Sequence, residues 1–493
     1  MRKYLYLFAL LIIGCSATAQ TDLEKEFRDF EERAGKDFSS FEHNQQQQFD
    51  EFRRKVNAEF AEQMGRKWET EQSKEAVPAP KLPEPPKPVY KEEGDKKPLK
   101  QELDVSPVNR EPMEEYVAPK PAVPIVKNET DPQPTISFNY YGKDCNIVWR
   151  DDMTFRLSAA NEHEVSKAWK QLSTQKYDNL IADCLQLKET MNLCDWAYLD
   201  LLDKFSERVF GSSENERVVL KMYLLTQSGY KMRIAKNGST LALLMPAREE
   251  VYDYSYLEFD QEKFYVLNKN LKGSFEVFKL SYPQEQTPSL RMTVLPKLPE
   301  SKASQRTFAS KNYPDIKVSI EPNTNLMNFY TAYPHSNWSC YPQASLSDEV
   351  KNALYPTLKA AMAGKSQVEA ANVLINFVQT AFEYKTDEEQ FGCERTFFGD
   401  ELFFYPYSDC EDRSVLFSIL VRELLGLDVV LLHYPGHLAT AVRFTEKADG
   451  FYITLDNKEY TVCDPTYIGA NIGEAMPQFE KVPAEIIRIT PNK

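Results

Sequence analysis

The chain has 493 residues, a formal net charge of -15 and 42% hydrophobic residues. That length suggests two to four structural units, with enough apolar content for ordinary cores. The acidic balance keeps the protein soluble and argues against a nucleic-acid or anionic-membrane partner.

Residues 1–19 read as a signal peptide: Arg2 and Lys3 precede the apolar run Tyr4 to Ile13, which is too short to span a bilayer. Two processing outcomes compete. Ala17-Thr18-Ala19 is a small-residue cleavage site and is preferred. Ile12-Ile13-Gly14-Cys15 resembles a lipobox, which would leave Cys15 lipidated. The expected location is therefore periplasmic or extracellular, or the outer membrane if Cys15 is the anchor. No later segment is long and apolar enough to be a transmembrane helix. After a cut at Ala19 seven cysteines remain, an odd number that leaves at least one thiol free.

Residues 22–70 carry an 11-residue repeat. Phe27, Phe38, Phe49 and Phe60 keep that spacing, as do Phe30, Phe41 and Phe52. Eleven residues close three helical turns, so the aromatics form one stripe along an amphipathic helix of about 70 Å. Such a stripe predicts self-association, packing on its own protein or docking to an envelope partner. Gly35 and Gly65 would weaken the helix locally.

Residues 71–135 read as a disordered Pro-rich linker, with 14 of the 30 prolines among Lys and Glu. A helical module is predicted over 136–230, on faces such as Trp169, Leu172, Leu180 and Trp196, Leu199, Leu202. Cys184 and Cys194 either bridge neighbouring helices or are simply buried. A β-rich module follows over 231–345, with alternating runs and a turn at Lys236-Asn237-Gly238. Helical periodicity returns at Ala371, Leu374, Ile375, Val378 and Phe382 and leads into the last unit, 346–493.

The chemistry concentrates in that last unit. Ser408 and Glu411 have capping-box spacing, and Val415, Leu416, Ile419, Leu420 and Leu424 make a buried helical face that Gly426 ends. Cys410 therefore falls in the first turn of a helix. There, free N–H groups, the helix dipole and a nearby imidazolium can lower a thiol pKa from about 8.5 to about 3.5–7.5. The acidic neighbours Asp409, Glu411 and Asp412 oppose this unless they turn toward the cap, solvent or other partners.

Two strands are predicted around a Pro435-Gly436 turn, and His437 opens the second. Ala439 and Ala441 share its face and would let the Cys410 helix approach. His433 reads as a structural histidine. A third strand, Tyr460 to Cys463, ends at Asp464, which can hold the second imidazole nitrogen; the rival Asp456 sits in a hairpin turn.

Taken in order, Tyr384-x-x-Asp387, Phe391-Gly392, Asp409-Cys410-Glu411-Asp412, Gly436-His437 and Asp464-Pro465-Thr466 resemble the transglutaminase-like superfamily, including its bacterial cysteine peptidase-like branch. The resemblance covers roughly 110 residues. It implies an α+β chain ending in a papain-like catalytic core, with the triad Cys410, His437 and Asp464 and acyl transfer or hydrolysis at amide carbonyls through a thioester. The sequence departs from it at Ser408, where many members have Gly. It departs again at Thr396-Phe397-Phe398, where many have a Trp that donates to the oxyanion. Gln390 is the candidate replacement donor, beside the Cys410 backbone N–H. Losing one such donor costs about 10²–10³ in rate.

No cofactor is expected, and no metal: paired Cys-x-x-Cys spacing is missing, and the Asp409/Glu411/Asp412 group reads as a solvated helix cap rather than a Ca²⁺ site. The expected function is an exported cysteine peptidase or amidase acting on a peptide or protein amide. The alternatives are a protein-crosslinking acyltransferase and a non-catalytic envelope scaffold that keeps the fold.

Overall fold

The computed structural model describes residues 47–81, 87–92, 94, 97–106, 116–127, 133–174 and 177–489. The expected signal peptide, Cys15 and residues 22–46 of the repeat lie outside them. The chain divides between Phe60 and Ala61. On the N-terminal side the described residues are helical, and that helix runs over 47–64. It stops at Gly65, the weak point anticipated from sequence. The expected continuation to 70 is instead a strand, Glu69–Gln72.

From Ala61 onward the chain forms one unit of mixed helix and strand. A hairpin, Thr135–Tyr140 with Lys143–Val148, precedes four helices: Glu162–Thr174, Asp178–Thr190, Asp195–Phe210 and Glu214–Gln227. Their apolar faces bury Trp169, Leu172, Leu180, Tyr198, Leu202 and Tyr223. Cys184 and Cys194 are both free thiols, so no bridge joins these helices.

The β-rich region is an antiparallel six-stranded sheet in the order Glu69–Gln72, Ser274–Phe278, Arg233–Asn237, Thr240–Pro246, Glu262–Val266, Tyr256–Phe259. The first strand comes from the far side of the Pro-rich segment. Gly238, at φ +61°, sits in the tight turn between Asn237 and Thr240, as its sequence signal implied.

A second six-stranded sheet lies at the C-terminus, in the order Glu485–Arg488, Asp428–Tyr434, His437–Arg443, Lys458–Cys463, Gly450–Leu455, Lys100–Glu102. Five strands are antiparallel and local. The sixth, Lys100–Glu102, pairs in parallel with Gly450 to Tyr452 and belongs to the expected linker. The same segment places Val89–Tyr90 beside Tyr467–Ile468, buries Leu103 in the sheet's own core and bridges Val105 to Ala484. The expectation of an unfolded spacer thus fails for these residues. Backbone pairing does not require an apolar stretch, and Leu103 supplies the one deep anchor.

Ahead of this sheet, Asp348–Met362 and Gln367–Ala381 form a helical pair. Ser347 caps the first, and Ser366 with Glu369 make a reciprocal capping box on the second. Among the described residues no helix is long and apolar enough to cross a membrane.

Candidate functional site

The cysteine helix is Cys410–Leu425, with Cys410 as its first residue and Gly426 closing it at φ +66°. The cap is one residue later than expected. Asp409 is the N-cap and pairs with Asp412, whose carboxylate accepts the Asp409 N–H at 3.3 Å. Ser408 instead accepts from Arg413 Nε. Both register choices satisfy the i, i+3 pattern. Asp412 takes the role because its other oxygen also receives the Phe397 N–H at 2.9 Å.

The histidine strand follows from the two-residue turn, since Tyr434 pairs directly with His437 and Gly436 adopts φ +78°. Thr440 pairs antiparallel with Cys463, so the chain leaving that strand at Asp464 runs back toward His437. Asp464 Oδ2 meets His437 Nε2 at 2.8 Å. Asp464 Oδ1 is pinned by the backbone N–H groups of Thr466 and Tyr467, at 2.9 and 3.2 Å. His437 is fully buried, and its Nδ1 has no hydrogen-bond partner. Phe479 stacks on the imidazole at 5.1 Å with the planes 6° apart, and Tyr434 stacks on Phe479.

The sulfur of Cys410 is within the same neighbourhood: the N–H of Leu438, the residue after His437, faces it. Ser414 Oγ, one turn along the helix, donates to the Leu438 carbonyl at 2.8 Å. The helix therefore meets the strand through its backbone. Ala439 and Ala441, expected to admit the helix, instead pack into the cluster formed by the strands themselves, with Leu432, Phe451 and Val462.

The thiol does not hydrogen-bond to His437. It donates to Glu411 Oε2 at 3.2 Å. The expectation of a depressed thiol pKa is overturned. Burial and then the Glu411 and Asp409 carboxylates push it well above the usual value, and the Leu438 N–H only partly offsets them. A helix N-terminus offers about half a positive charge, which cannot balance adjacent buried carboxylates.

Nor is the acidic group a solvated cap. Asp387, Asp409 and Glu411 are all buried, and a ligand oxygen from each lies within 4.8 Å of the others. Burial and then the Asp409 charge raise Asp387 to about 9 and push Glu411 and Asp412 well upward, while burial and the Glu394 charge raise Asp409 to about 6. Asp409 Oδ1 and Glu411 Oε1 are buried without partners. These three hard oxygen donors are the residues that could hold a cation, of the Ca²⁺ or Mg²⁺ kind rather than a thiophilic metal.

Gln390, the expected oxyanion donor, is engaged with the backbone of Tyr407. Its amide bonds both polar groups of Tyr407, accepting from the N–H at 3.2 Å and donating to the carbonyl at 3.5 Å. His433 is structural, bonded to Glu485 at 3.0 Å and packed on Trp338. Asp456 pairs with Arg488 in its hairpin turn.

Three contributors escaped the sequence reading. Gln379 and Arg413 were visible only as polar residues inside otherwise apolar helical faces, and Phe479 carried no signal. Comparison with known protein families, curated proteins and solved structures finds no match to this chain.

Proposed function

We propose that the chain is an exported thiol-dependent amide hydrolase with a papain-like, transglutaminase-like catalytic core. The observation that carries this reading is the state of His437. It is a fully buried imidazole, braced on Nε2 by a buried carboxylate at 2.8 Å, with its other nitrogen unpartnered. The strand bearing it turns its next N–H toward the Cys410 sulfur. An orphaned buried polar atom is rare and costly unless it has work to do.

In this mechanism the thiol turns from Glu411 to His437 Nδ1 and gives up its proton. The sulfur attacks the amide carbonyl carbon, with the Cys410 backbone N–H available to the oxyanion. The imidazolium then protonates the departing amine, leaving a thioester on Cys410. Water, deprotonated by the same nitrogen, cleaves the thioester and regenerates the thiol. Asp464 fixes the tautomer and stabilises the imidazolium throughout.

The test is to incubate the full chain and its Cys410→Ala variant with a mixed peptide library and to map new termini by mass spectrometry. Cleavage by the former alone supports the reading, and identical patterns sink it. A second reading, a non-catalytic envelope protein that retains the fold, draws on the thiol's bond to Glu411 and on Gln390 being tied to Tyr407. It predicts that Cys410→Ala keeps every property of the parent.

A further inference from the structure

We propose that Gln379 is a positioning residue for Asp464, and that with Arg413 it sets the spacing between the acid loop and the cysteine helix. The proposal rests on the triad reading given above. Gln379 lies near the end of the helix Gln367–Ala381 and is 2% exposed. The two N–H donors of its side-chain nitrogen are shared among three backbone carbonyls, Asp464 at 3.2 Å, Tyr467 at 2.8 Å and Ala470 at 3.0 Å. Its oxygen accepts from the Gly469 N–H at 3.2 Å. One amide thus closes the loop 464–470 on itself, and the first carbonyl it grips is that of the acid bonded to His437.

The grip continues into the cysteine helix. Arg413, three residues after Cys410, is buried and reaches back to the same helix end. It donates to the Gln379 carbonyl at 3.4 Å and to the Phe382 carbonyl at 2.9 Å. Its Nε bonds Ser408, directly before the cap. A guanidinium kept in the interior despite a pKa lowered to about 10 by burial is an expensive spacer. A neutral apolar pair would pack there, but it would not hold two carbonyls of that helix end and the Ser408 hydroxyl in fixed geometry. The sulfur and the imidazole belong to different elements, so their separation depends on this brace. A displacement of about 1 Å in such a site costs roughly 10²-fold in rate.

The control is Asn376, one turn earlier on the same helix. It is also buried, but its oxygen accepts from Ser310 Oγ and the Asn312 N–H, away from the acid loop. The full chain, Gln379→Met and Asn376→Leu are labelled with ¹⁵N-histidine, of which there are five. The low-field proton of the His437–Asp464 bond is followed, together with acylation of Cys410 by p-nitrophenyl acetate and thermal unfolding. Gln379→Met is expected to shift or erase the His437 resonance and to slow acylation about 10²-fold. Asn376→Leu is expected to lose comparable thermal stability and keep both signals. An unchanged resonance in Gln379→Met overturns the proposal, as does an equal change in Asn376→Leu. If Gln379→Met does not fold, Gln379→Asn, one methylene shorter, is read in the same way. Should the parent show the resonance yet no acylation, the hydrolase reading falls, while the resonance still decides the brace.

Discussion

A thiol beside a carboxylate is a poor nucleophile, and Cys410 begins its helix among buried acids. Burial, the neighbouring acids and the bond to Glu411 all favour the protonated thiol, and so work against the thiolate that the proposed reaction needs. Replacing Glu411 by Gln removes an acid that accepts the thiol proton and raises the thiol, while keeping the volume. Alkylation of Cys410 by iodoacetamide above neutral pH should then accelerate several-fold, and a fall would contradict this account of the site. Phe479 has the opposite sense. It shields the imidazole and its bond to Asp464, so Phe479→Ala should admit water to that bond and slow any Cys410-dependent hydrolysis about tenfold or more. The placement of Cys410, His437 and Asp464 was legible because each sits at a recognisable boundary: a helix start, a strand start and the residue after a strand end. The cap register was not, since Ser408/Glu411 and Asp409/Asp412 fit the same spacing. The buried acidic group was also hidden, because Asp387 joins Asp409 and Glu411 from a segment distant in sequence.

At the level of elements, the apolar faces gave the helices from Glu162 and the alternating runs the strands from Arg233, but 136–148 is a hairpin inside the expected helical stretch and Thr324–Thr331 a helix inside the expected β-rich one; the Pro435-Gly436 and Asn237-Gly238 turns gave hairpin registers. Alternation could not say which layer a face meets, hence the error over Ala439 and Ala441. The helix Asp348–Met362 is tied to the short segment after Gly399 through Asp400, which accepts from the Ser347 N–H at 3.1 Å. Burial pushes Asp400 up to about 7. Its folded pKa exceeds its unfolded value, so the unfolded state ionises first as pH rises, and this group's contribution weakens between about pH 4 and pH 7. Asp400→Asn keeps an acceptor for Ser347 and removes the ionisation cost. Its thermal midpoint should exceed the parent's at pH 8, with the gap closing toward pH 4. A gap that widens toward acid would contradict the assignment. Where Gly450 opens its strand at φ +118°, an added Cβ would lie 2.2 Å from the Gly473 carbonyl oxygen. Gly450→Ala should therefore cost about 3 kcal/mol in denaturant unfolding, combining backbone strain and overlap.

Across the whole molecule, the segment between the repeat and the helices is the largest departure from sequence expectation. Composition marks 71–135 as unable to build a core, and that remains true: it borrows one. Lys91 bonds the Glu474 carboxylate, Lys97 the Ile472 carbonyl, and Leu103 sits inside the C-terminal sheet. These contacts, together with Val89–Tyr90 on Tyr467–Ile468, strap the loop that carries Asp464 from outside, while Gln379 holds it from within. Hydrogen exchange should show the Lys91, Leu103 and Ser106 amides protected, since their acceptors are the Ile468, Tyr452 and Ala484 carbonyls. Spacer-like exchange at all three would mean that the strap is not held. Leu103→Ala should lower stability by about 2–5 kcal/mol and loosen all three together.

Convergence of sulfur, imidazole and acid into one working unit is tested most directly by mapping which cysteine p-nitrophenyl acetate acylates, in the parent and in His437→Gln. The account predicts a thioester on buried Cys410, with an initial burst of p-nitrophenolate that drops at least about 10²-fold without His437. Acylation confined to Cys393, the exposed thiol, and indifferent to His437 would show that accessibility alone governs reactivity and would contradict it.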